Sequence, residues 1–285
     1  MREPVAGREA PAGGHASRRP APARADVTWD AHAHVIGDPS RHPFAPTRGY
    51  EPAPAPLARY LAFLDRHGLD RGVLVQPSVY GFDHGCMLEA LERSDGRLLG
   101  VAVPAPDTDV RELERLHAQG VRGVRCNLIN PGGLPPEAVL RWRPALRELG
   151  WHVSLHVAID DLDEPEALVE RLQVPVVFDH MGRPGRGHVD PEDPGPRRLL
   201  ELVRAGACFT KLSAPYRLSA EPAPWRDVAA LARAFVAANP AACVWASDWP
   251  WVDTDATFAE SDLVRARADW CPPPRRSRCR RSRGR

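Results

Sequence analysis

Three histidines and one aspartate that could bind a metal lie at the ends of short apolar runs in this sequence. His32 and His34 close the first run (DAHAH). His156 closes a later run (HVSLH), and Asp248 stands in the segment SDWP. Because alternate residues of a β-strand share a face, the two histidines of the first run would project together. Taken alone, such a His-x-His pair is equally compatible with packed or exposed rings, but the four side chains together form a candidate zinc site.

A metal site of this composition would carry out hydrolysis. A single divalent metal, for which we expect zinc, would keep an open position for water and lower the pKa of that water to around 7. Asp248 could accept the water proton and later deliver it to the leaving oxygen. His180, in the segment DHMG, could polarise a substrate carbonyl or shuttle protons. Asp248 and His180 are therefore the predicted catalytic residues.

A second set of side chains could bind an acidic substrate. Arg125 lies within an apolar run, where strand alternation would direct it inward, and a guanidinium matches a carboxylate in shape and charge. The other candidates follow the ends of predicted strands or lie in nearby segments, and they are Tyr50, Ser78, Arg183, Lys211, Ser213, Tyr216 and Arg217. Since arginine is frequent throughout the chain, any one of the arginines could equally be a solvated surface residue.

Eight short apolar runs must position these side chains. They cover residues 27–35, 71–78, 98–104, 121–128, 152–157, 175–182, 208–214 and 243–250. Segments with helical spacing lie between them, and those at 56–67, 110–119, 136–149 and 197–205 each end at a glycine, which is typical of helix C-termini. This alternation predicts an α/β protein with a parallel (β/α)8 barrel of the TIM type over residues 26–270. A doubly wound sheet is disfavoured, because no glycine-rich phosphate loop follows the first strand.

Composition narrows the class of protein. The chain has 285 residues, with 38 Lys+Arg against 37 Asp+Glu, and near-zero net charge argues against a nucleic-acid partner. No apolar run is long enough for a membrane span. Six cysteines without a C-x-x-C pair are typical of a reducing compartment, so we expect a cytoplasmic location. Residues 1–25, rich in Ala, Pro, Gly and Arg, are predicted to be a disordered leader. Oligomeric state stays open.

The order of the motifs resembles the amidohydrolase superfamily. More narrowly, it is similar to the amidohydrolase-related branch that contains 2-pyrone-4,6-dicarboxylate lactonase, sulfomuconolactone hydrolase and sugar-acid lactonases. The motifs that carry the resemblance, over residues 26–255, are DAHAHV, LVQPSVYG, GVRGVRCNLINPGG, WHVSLHV, VFDHMGRP, KLSAPYRLS and WASDWP. The resemblance implies a TIM-type barrel that hydrolyses a carboxylated lactone, with Asp248 as general base. It also implies that the substrate's carboxylates and carbonyl are held by Tyr50, Ser78, Arg125 and Arg217, with His32, His34 and His180 in the site.

Three positions depart from the pattern of that branch. The pyrone-dicarboxylate enzymes look metal-independent and carry a tyrosine where this chain has His156, whereas a histidine there resembles the zinc-binding branches. Asn130-Pro131 stands where those enzymes have a second arginine, which disfavours a dicarboxylated pyrone as the substrate. Trp251 replaces a histidine that usually follows Ser-Asp-Trp-Pro.

The C-terminal segment also departs from the branch. Residues 254–270 are predicted to form one helix with Thr254 or Asp255 as its cap. Residues 271–285 hold seven arginines and three consecutive prolines, which cannot pack as a barrel helix. We expect a disordered tail that arises from a frameshifted or truncated reading frame, the alternatives being a solvated tail or one that binds nucleic acid.

The leading functional hypothesis is a hydrolase that opens a small carboxylated lactone, or a related ester, from aromatic or sugar-acid catabolism. Asp-assisted attack of water on the ring carbonyl is the expected chemistry. A metal-dependent decarboxylase of the same superfamily and a catalytically inactive barrel are the alternatives, since this fold hosts many chemistries. The expected partner is a small acidic lactone, with neither nucleic acid nor membrane.

Overall fold

A computed structural model of the protein describes residues 27–131 and 133–270. Eight parallel strands form one sheet in the order β1 to β8, so each strand pairs with its sequence neighbours. The barrel architecture predicted from the sequence is confirmed. The strands are β1 Trp29–Ala33, β2 Arg71–Val75, β3 Leu98–Ala102, β4 Val121–Asn127, β5 His152–His156, β6 Val176–Phe178, β7 Phe209–Leu212 and β8 Cys243–Trp245. The predicted leader and Arg-rich tail lie outside the described residues.

Helices connect the strands and cover the outside of the barrel. They are α1 Leu57–Arg66, α2 Gly85–Glu92, α3 Val110–Ala118, α4 Pro136–Val139, α5 Arg143–Glu148, α6 Pro165–Leu172, α7 Pro194–Arg204, α8 Pro215–Leu218, α9 Arg226–Ala238 and α10 Glu260–Trp270. Among the described residues, no helix is both long and apolar enough to cross a membrane.

Strand alternation separates a polar barrel interior from an apolar outer layer. In β4, Val124 and Cys126 are fully buried in the apolar core. Arg125, between them, pairs in register with Ser154 of β5. Because successive side chains point to opposite faces of a sheet, Arg125 and Ser154 point into the barrel, as the sequence predicted for Arg125.

The backbone contacts that the structure describes across the seam between β8 and β1 lie near the carboxyl ends of the two strands. Ala33 and Trp249 form an isolated bridge there. His34 N donates to Trp249 O at 2.7 Å, and Asp248 N donates to His32 O at 3.0 Å. The barrel is therefore nearly closed, and its closing bonds lie among the predicted site residues.

Two helical segments differ from the prediction. The helix expected at 136–149 is broken into α4, a short 3₁₀ turn and α5, and Pro144 falls in the first turn of α5, where proline starts a helix instead of continuing one. The helix expected at 254–270 begins only at Glu260. There Asp262 accepts a hydrogen bond from Ala259 N at 3.0 Å, so Asp262 caps this end. Thr254 instead accepts from Ala256 N in the preceding loop.

Candidate active site

Asp248 faces three imidazole rings at the carboxyl rim of the barrel. Its Oδ1 lies 3.6 Å from His32 Nε2, 3.8 Å from His34 Nε2 and 3.8 Å from His180 Nε2. Each of these four side chains is at most 4% exposed. The structure thus brings together residues from both ends of the chain and from the turn after β6, as the barrel prediction required.

Hydrogen bonds on the far side of each ring orient the histidines. His34 Nδ1 donates to Val75 O at 2.7 Å, because a carbonyl can only accept, and this leaves His34 Nε2 with its lone pair toward the cluster. His180 Nδ1 bonds to Ser213 Oγ at 2.8 Å. His180 (φ 54°) and Asp248 (φ 57°) both adopt the left-handed backbone region, which is costly for residues other than glycine and is frequent at functional sites.

A second buried carboxylate, Asp179, lies beneath this cluster. Lys211 Nζ is 2.9 Å from Asp179 Oδ1, 3.1 Å from His32 Nδ1 and 3.3 Å from Ser154 Oγ. Arg125 Nε is 3.4 Å from Asp179 Oδ2. Two cations therefore compensate this carboxylate, and it in turn lies 3.5 Å from His32 Nδ1.

Burial and neighbouring charges set the ionisation of the site. Burial lowers the pKa of both His34 and His180 to about 4. Burial alone would raise the pKa of Asp248, but the adjacent His180 and Arg217 outweigh it and hold that pKa well below its usual range. At neutral pH the site therefore contains an ionised carboxylate surrounded by neutral imidazoles.

The mouth of the site is cationic. A narrow pocket is lined by Tyr50, Ser78, Arg125, Asn130, Arg183 and Arg217 together with His34, His156, His180 and Asp248. It adjoins a wider cavity of about 490 Å³ next to Tyr216, and Arg183, Arg217 and Asp253 line both. The five substrate-binding residues predicted from the sequence thus share one pocket with Asp248.

Tyr216 and Arg217 hold the second oxygen of the carboxylate. Tyr216 donates its hydroxyl hydrogen to Asp248 Oδ2 at 2.5 Å, and Arg217 Nε lies 3.4 Å from the same oxygen. Since Oδ2 is occupied in this way, Oδ1 is the oxygen that remains available to a water molecule or a cation among the imidazoles.

His156 takes a different place from the other predicted metal ligands. Its ring lies edge-on to His180, with ring centroids 5.2 Å apart. Its Nε2 is 3.0 Å from Nη1 of Arg183, and its Nδ1 is 3.9 Å from Asp179 Oδ2. His156 therefore lies in the pocket but outside the group of atoms around Asp248 Oδ1.

Two groups of described side chains have the spacing of a metal site. They are His32, His34 and Asp248, and His32, Asp179 and His180, with ligand atoms within 4.8 Å of one another in each. Ligand atoms at about 2.0–2.1 Å from a tetrahedral zinc lie about 3.4 Å from each other. In the first group His32 Nε2 is 3.4 Å from His34 Nε2, whereas Asp248 Oδ1 is 3.6 and 3.8 Å from the two nitrogens. The pair of histidines therefore matches this spacing, and the carboxylate lies slightly farther away.

The sequence did not indicate Asp179 and Ser154 as supporting residues of the site, and it indicated Lys211 as a candidate for binding the substrate, whereas Lys211 is buried against Asp179. Asp179 was visible beside His180 in the segment FDHMG, but its function as the buried partner of Lys211 and Arg125 depends on neighbouring strands. Ser154 lies in β5 between buried apolar residues. Lys211 is the only lysine in the chain, and this was the one sequence signal that distinguished it from the many arginines.

A barrel with such residues at the carboxyl ends of its strands has the arrangement of barrel enzymes, whose active sites lie on that face. Residues 29–278 match the family model described as amidohydrolase, and the chain belongs to this family.

Named relatives and a solved structure refine this membership. The chain is 35% identical over 251 residues to a 4-sulfomuconolactone hydrolase from Rhizobium radiobacter, covering 86% of this chain and 83% of the relative. It is 36% identical over 234 residues to a 2-pyrone-4,6-dicarboxylate hydrolase from Comamonas testosteroni, covering 78% and 76%. A probable 2-pyrone-4,6-dicarboxylic acid hydrolase from Acinetobacter baumannii, crystallised with citric acid bound, is similar in structure, with a TM-score of 0.76, 30% identity and coverage of 86% and 92%.

Proposed function

We propose that this protein hydrolyses a small lactone that carries at least one anionic group. The observation that carries the proposal is the position of Asp248 Oδ1, which faces three imidazoles at the base of a pocket lined by three arginines. The named relatives, two of which are lactone hydrolases by name, support this function.

Asp248 acts as the general base in this proposal. A water molecule beside Oδ1 gives its proton to the carboxylate while its oxygen forms a bond to the ring carbonyl carbon. The tetrahedral intermediate then collapses, the bond from that carbon to the ring oxygen breaks, and the proton on Asp248 passes to the departing oxygen. Because the surrounding groups hold the pKa of Asp248 low, the carboxylate is ionised at neutral pH and its protonated form readily returns the proton.

His180 is proposed to polarise the substrate carbonyl. Its Nε2 points toward Asp248, so a carbonyl beside the attacking water would lie next to this ring. A hydrogen bond to the carbonyl oxygen stabilises the negative charge that develops there during attack. For this function the ring nitrogen must carry a proton, which Ser213 permits by donating its hydroxyl hydrogen to His180 Nδ1.

Tyr50, Ser78, Arg125, Arg183 and Arg217 are proposed to bind the acidic substrate. All five line the same pocket, and guanidinium groups bind carboxylates or sulfonates with two parallel hydrogen bonds. Asn130 also lines this pocket and supplies amide groups instead of a charge, which is compatible with a substrate that carries fewer anionic groups than a dicarboxylated pyrone.

The donor set also fits one divalent cation, and zinc is the metal that we propose from the ligand types. His32, His34 and Asp248 would hold it. Lys211 Nζ, 3.1 Å from His32 Nδ1, can only donate, so it would have to release Nδ1 before His32 Nε2 could present a lone pair to a cation. When bound, such a metal supplies a more acidic water. His156 would first have to release Arg183 to become a further ligand.

Elemental analysis of the purified protein should find about one zinc per chain, and His34→Gln should lose this zinc. Full activity of metal-free protein would contradict the proposed metal site.

A cytoplasmic location belongs to the same proposal. The thiols of Cys86, Cys126 and Cys208 are free and buried, which is compatible with a reducing compartment.

Assays of the purified protein with 4-sulfomuconolactone, 2-pyrone-4,6-dicarboxylate and an uncharged lactone test this function. We expect ring opening of at least one anionic lactone, with release of a proton and a product heavier by one water. Release of CO₂ would instead identify a decarboxylase. No turnover of any lactone by folded protein would contradict the proposal.

A further inference from the structure

Arg183 differs from the other two pocket arginines in how much of its guanidinium is used within the protein. Within residues 27–131 and 133–270, its side chain makes one hydrogen bond, from Nη1 to His156 Nε2 at 3.0 Å, and no ion pair. In an arginine side chain, Nε and Nη2 lie along one edge, and together they can donate two parallel hydrogen bonds to an oxyanion. That edge of Arg183 is left for a ligand.

The guanidinium groups of Arg125 and Arg217 each have a carboxylate partner. Arg217 donates to Asp253 O and Val252 O and lies against Asp248 Oδ2. Arg125 donates to Gln76 O at 3.2 Å and faces Asp179 Oδ2 at 3.4 Å. Arg125 and Arg217 thus each face a buried carboxylate, whereas Arg183 has no ion pair among the described residues, so Arg183 is the pocket arginine whose charge a bound anion would compensate.

The contact with His156 also fixes the state of the histidine. An arginine has only donors, so His156 Nε2 must accept and the ring hydrogen lies on Nδ1. His156 stands at the end of β5, is 4% exposed and is paired in register with Asn127 of β4. The acceptor, His156 Nε2, therefore belongs to a residue at the end of a paired strand. Arg183 instead follows the turn Asp179–Gly182 and itself has a left-handed backbone (φ 46°).

We propose that His156 is a positioning residue, which holds Nη1 of Arg183 so that the Nε–Nη2 edge binds a carboxylate or sulfonate of the substrate. The inference rests on the proposed function, since it assumes that the ligand of this pocket is an acidic lactone. It gives His156 a function in substrate binding in place of metal ligation, and it identifies Arg183 as the main determinant of selectivity for anionic over neutral lactones.

A mutant cycle with citrate as the probe tests this inference without requiring turnover. His156→Leu removes the acceptor, whereas His156→Gln keeps an acceptor close to the place of Nε2. By isothermal titration we expect citrate to bind about tenfold more weakly to His156→Leu, and His156→Gln to restore most of the affinity. Arg183→Met should weaken binding further, and the double variant His156→Leu/Arg183→Met should bind no more weakly than Arg183→Met, because the histidine acts through the arginine.

Several results would overturn the inference. The first is a double variant in which the two losses of citrate affinity add, and the second is a His156→Gln variant that binds citrate as weakly as His156→Leu does. The others are loss of bound metal in His156→Leu and absence of citrate binding by the unaltered protein. Kinetics give a second readout: His156→Leu should raise KM for an anionic lactone with little change in kcat, and leave an uncharged lactone unaffected.

The outcomes separate this inference from the proposed function. A cycle that behaves as expected in a protein that opens no lactone would sustain the positioning function and refute the lactonase. Lactone hydrolysis by a protein in which the losses of citrate affinity add in the double variant would support the lactonase and refute the positioning function.

Discussion

At the residue scale, the buried charges beneath the active site make the protein depend on one lysine. Lys211 lies 2.9 Å from Asp179, and both side chains are at most 3% exposed. Lys211→Met would leave Arg125 as the one remaining cation beside Asp179 among the described residues, and removal of one partner from a buried pair typically costs about 3–5 kcal/mol. We therefore expect Lys211→Met to lower the free energy of unfolding by that amount in denaturant titrations at pH 7.

A double variant provides the matched control for this prediction. Lys211→Met/Asp179→Asn removes the carboxylate that the lysine compensates, so it should recover at least half of the loss. A change of less than about 1 kcal/mol in Lys211→Met would show that Arg125 compensates Asp179 by itself.

The sequence predicts the members of the site better than their contacts. His32, His34, His180 and Asp248 could be predicted to meet, because strand alternation and barrel closure dictate it. The contacts of Lys211 with Asp179 and of His156 with Arg183 could not be predicted, because each joins a strand to the turn after β6 and the distances between them are set by packing. His156 shows this difference most clearly. Its residue type indicated a metal ligand, whereas its contact with the donor Nη1 of Arg183 indicates another function.

At the element scale, the seam between β8 and β1 depends on Asp30. Its carboxylate accepts from Ser247 N at 2.8 Å, from the Ser247 hydroxyl and from Tyr60 OH at 3.1 Å. Asp248, one residue after Ser247, then donates its amide hydrogen to His32 O. Asp30 therefore joins β1 to the segment that presents the proposed base.

Asp30→Ala should open this seam, because it removes the acceptor of four buried donors, the three above and His32 N at 3.3 Å, each at a cost of about 1–3 kcal/mol. We expect native-state hydrogen exchange at the amides of His34 and Asp248 to accelerate more than at Cys126, which lies in the continuous β4–β5 ladder. Asp70→Ala is the matched control, since Asp70 bonds Thr28 beside the amino end of β1 and is exposed. Equal acceleration at all three amides would refute a local function for Asp30.

Strands and helices could be predicted where the spacing of apolar residues follows a single period, that of a strand or that of a helix. The strands were predicted with carboxyl ends too long, most clearly at 175–182 and 243–250 against β6 Val176–Phe178 and β8 Cys243–Trp245, because the predicted runs included the site-bearing residues that follow the last ladder hydrogen bond. The last helix was predicted six residues too early, at 254 instead of 260, since Thr254 and Asp255 are possible caps in the sequence, whereas the bond from Ala259 N to Asp262 depends on the folded loop. Phe258 stacks on Tyr216 with ring centroids 4.9 Å apart, a tertiary contact that holds this loop outside the helix.

At the scale of the whole molecule, buried histidines make the stability depend on pH. Burial lowers the pKa of His34, His152 and His180 from 6.5 to about 4. Between these values the unfolded chain binds protons that the folded chain does not, so stability falls as the pH decreases through this window. Asp30 acts in the opposite direction, because burial raises its pKa to about 6, but it is one group against these three histidines, and burial lowers the pKa of His32 and His156 as well.

We expect the free energy of unfolding to fall as the pH is lowered from 6.5 to 4, by about 1.4 kcal/mol per pH unit for each net proton bound on unfolding. Denaturant titrations across this range measure the slope. His152→Gln should make this slope less steep, because it removes one of the three histidines. His152 is chosen because it lies outside the proposed catalytic cluster. A free energy of unfolding that is constant or rises on acidification would contradict the balance described here.

The most direct test of the central claim is the turnover of an anionic lactone by Asp248→Asn. Loss of a general base typically lowers the rate by a factor of about 10²–10⁴. We therefore expect kcat of Asp248→Asn to be lower than that of the unaltered protein by such a factor, while citrate binds with comparable affinity. An Asp248→Asn variant that keeps more than about a tenth of the original kcat would show that another group activates water and that the ring of imidazoles around Asp248 serves a different purpose.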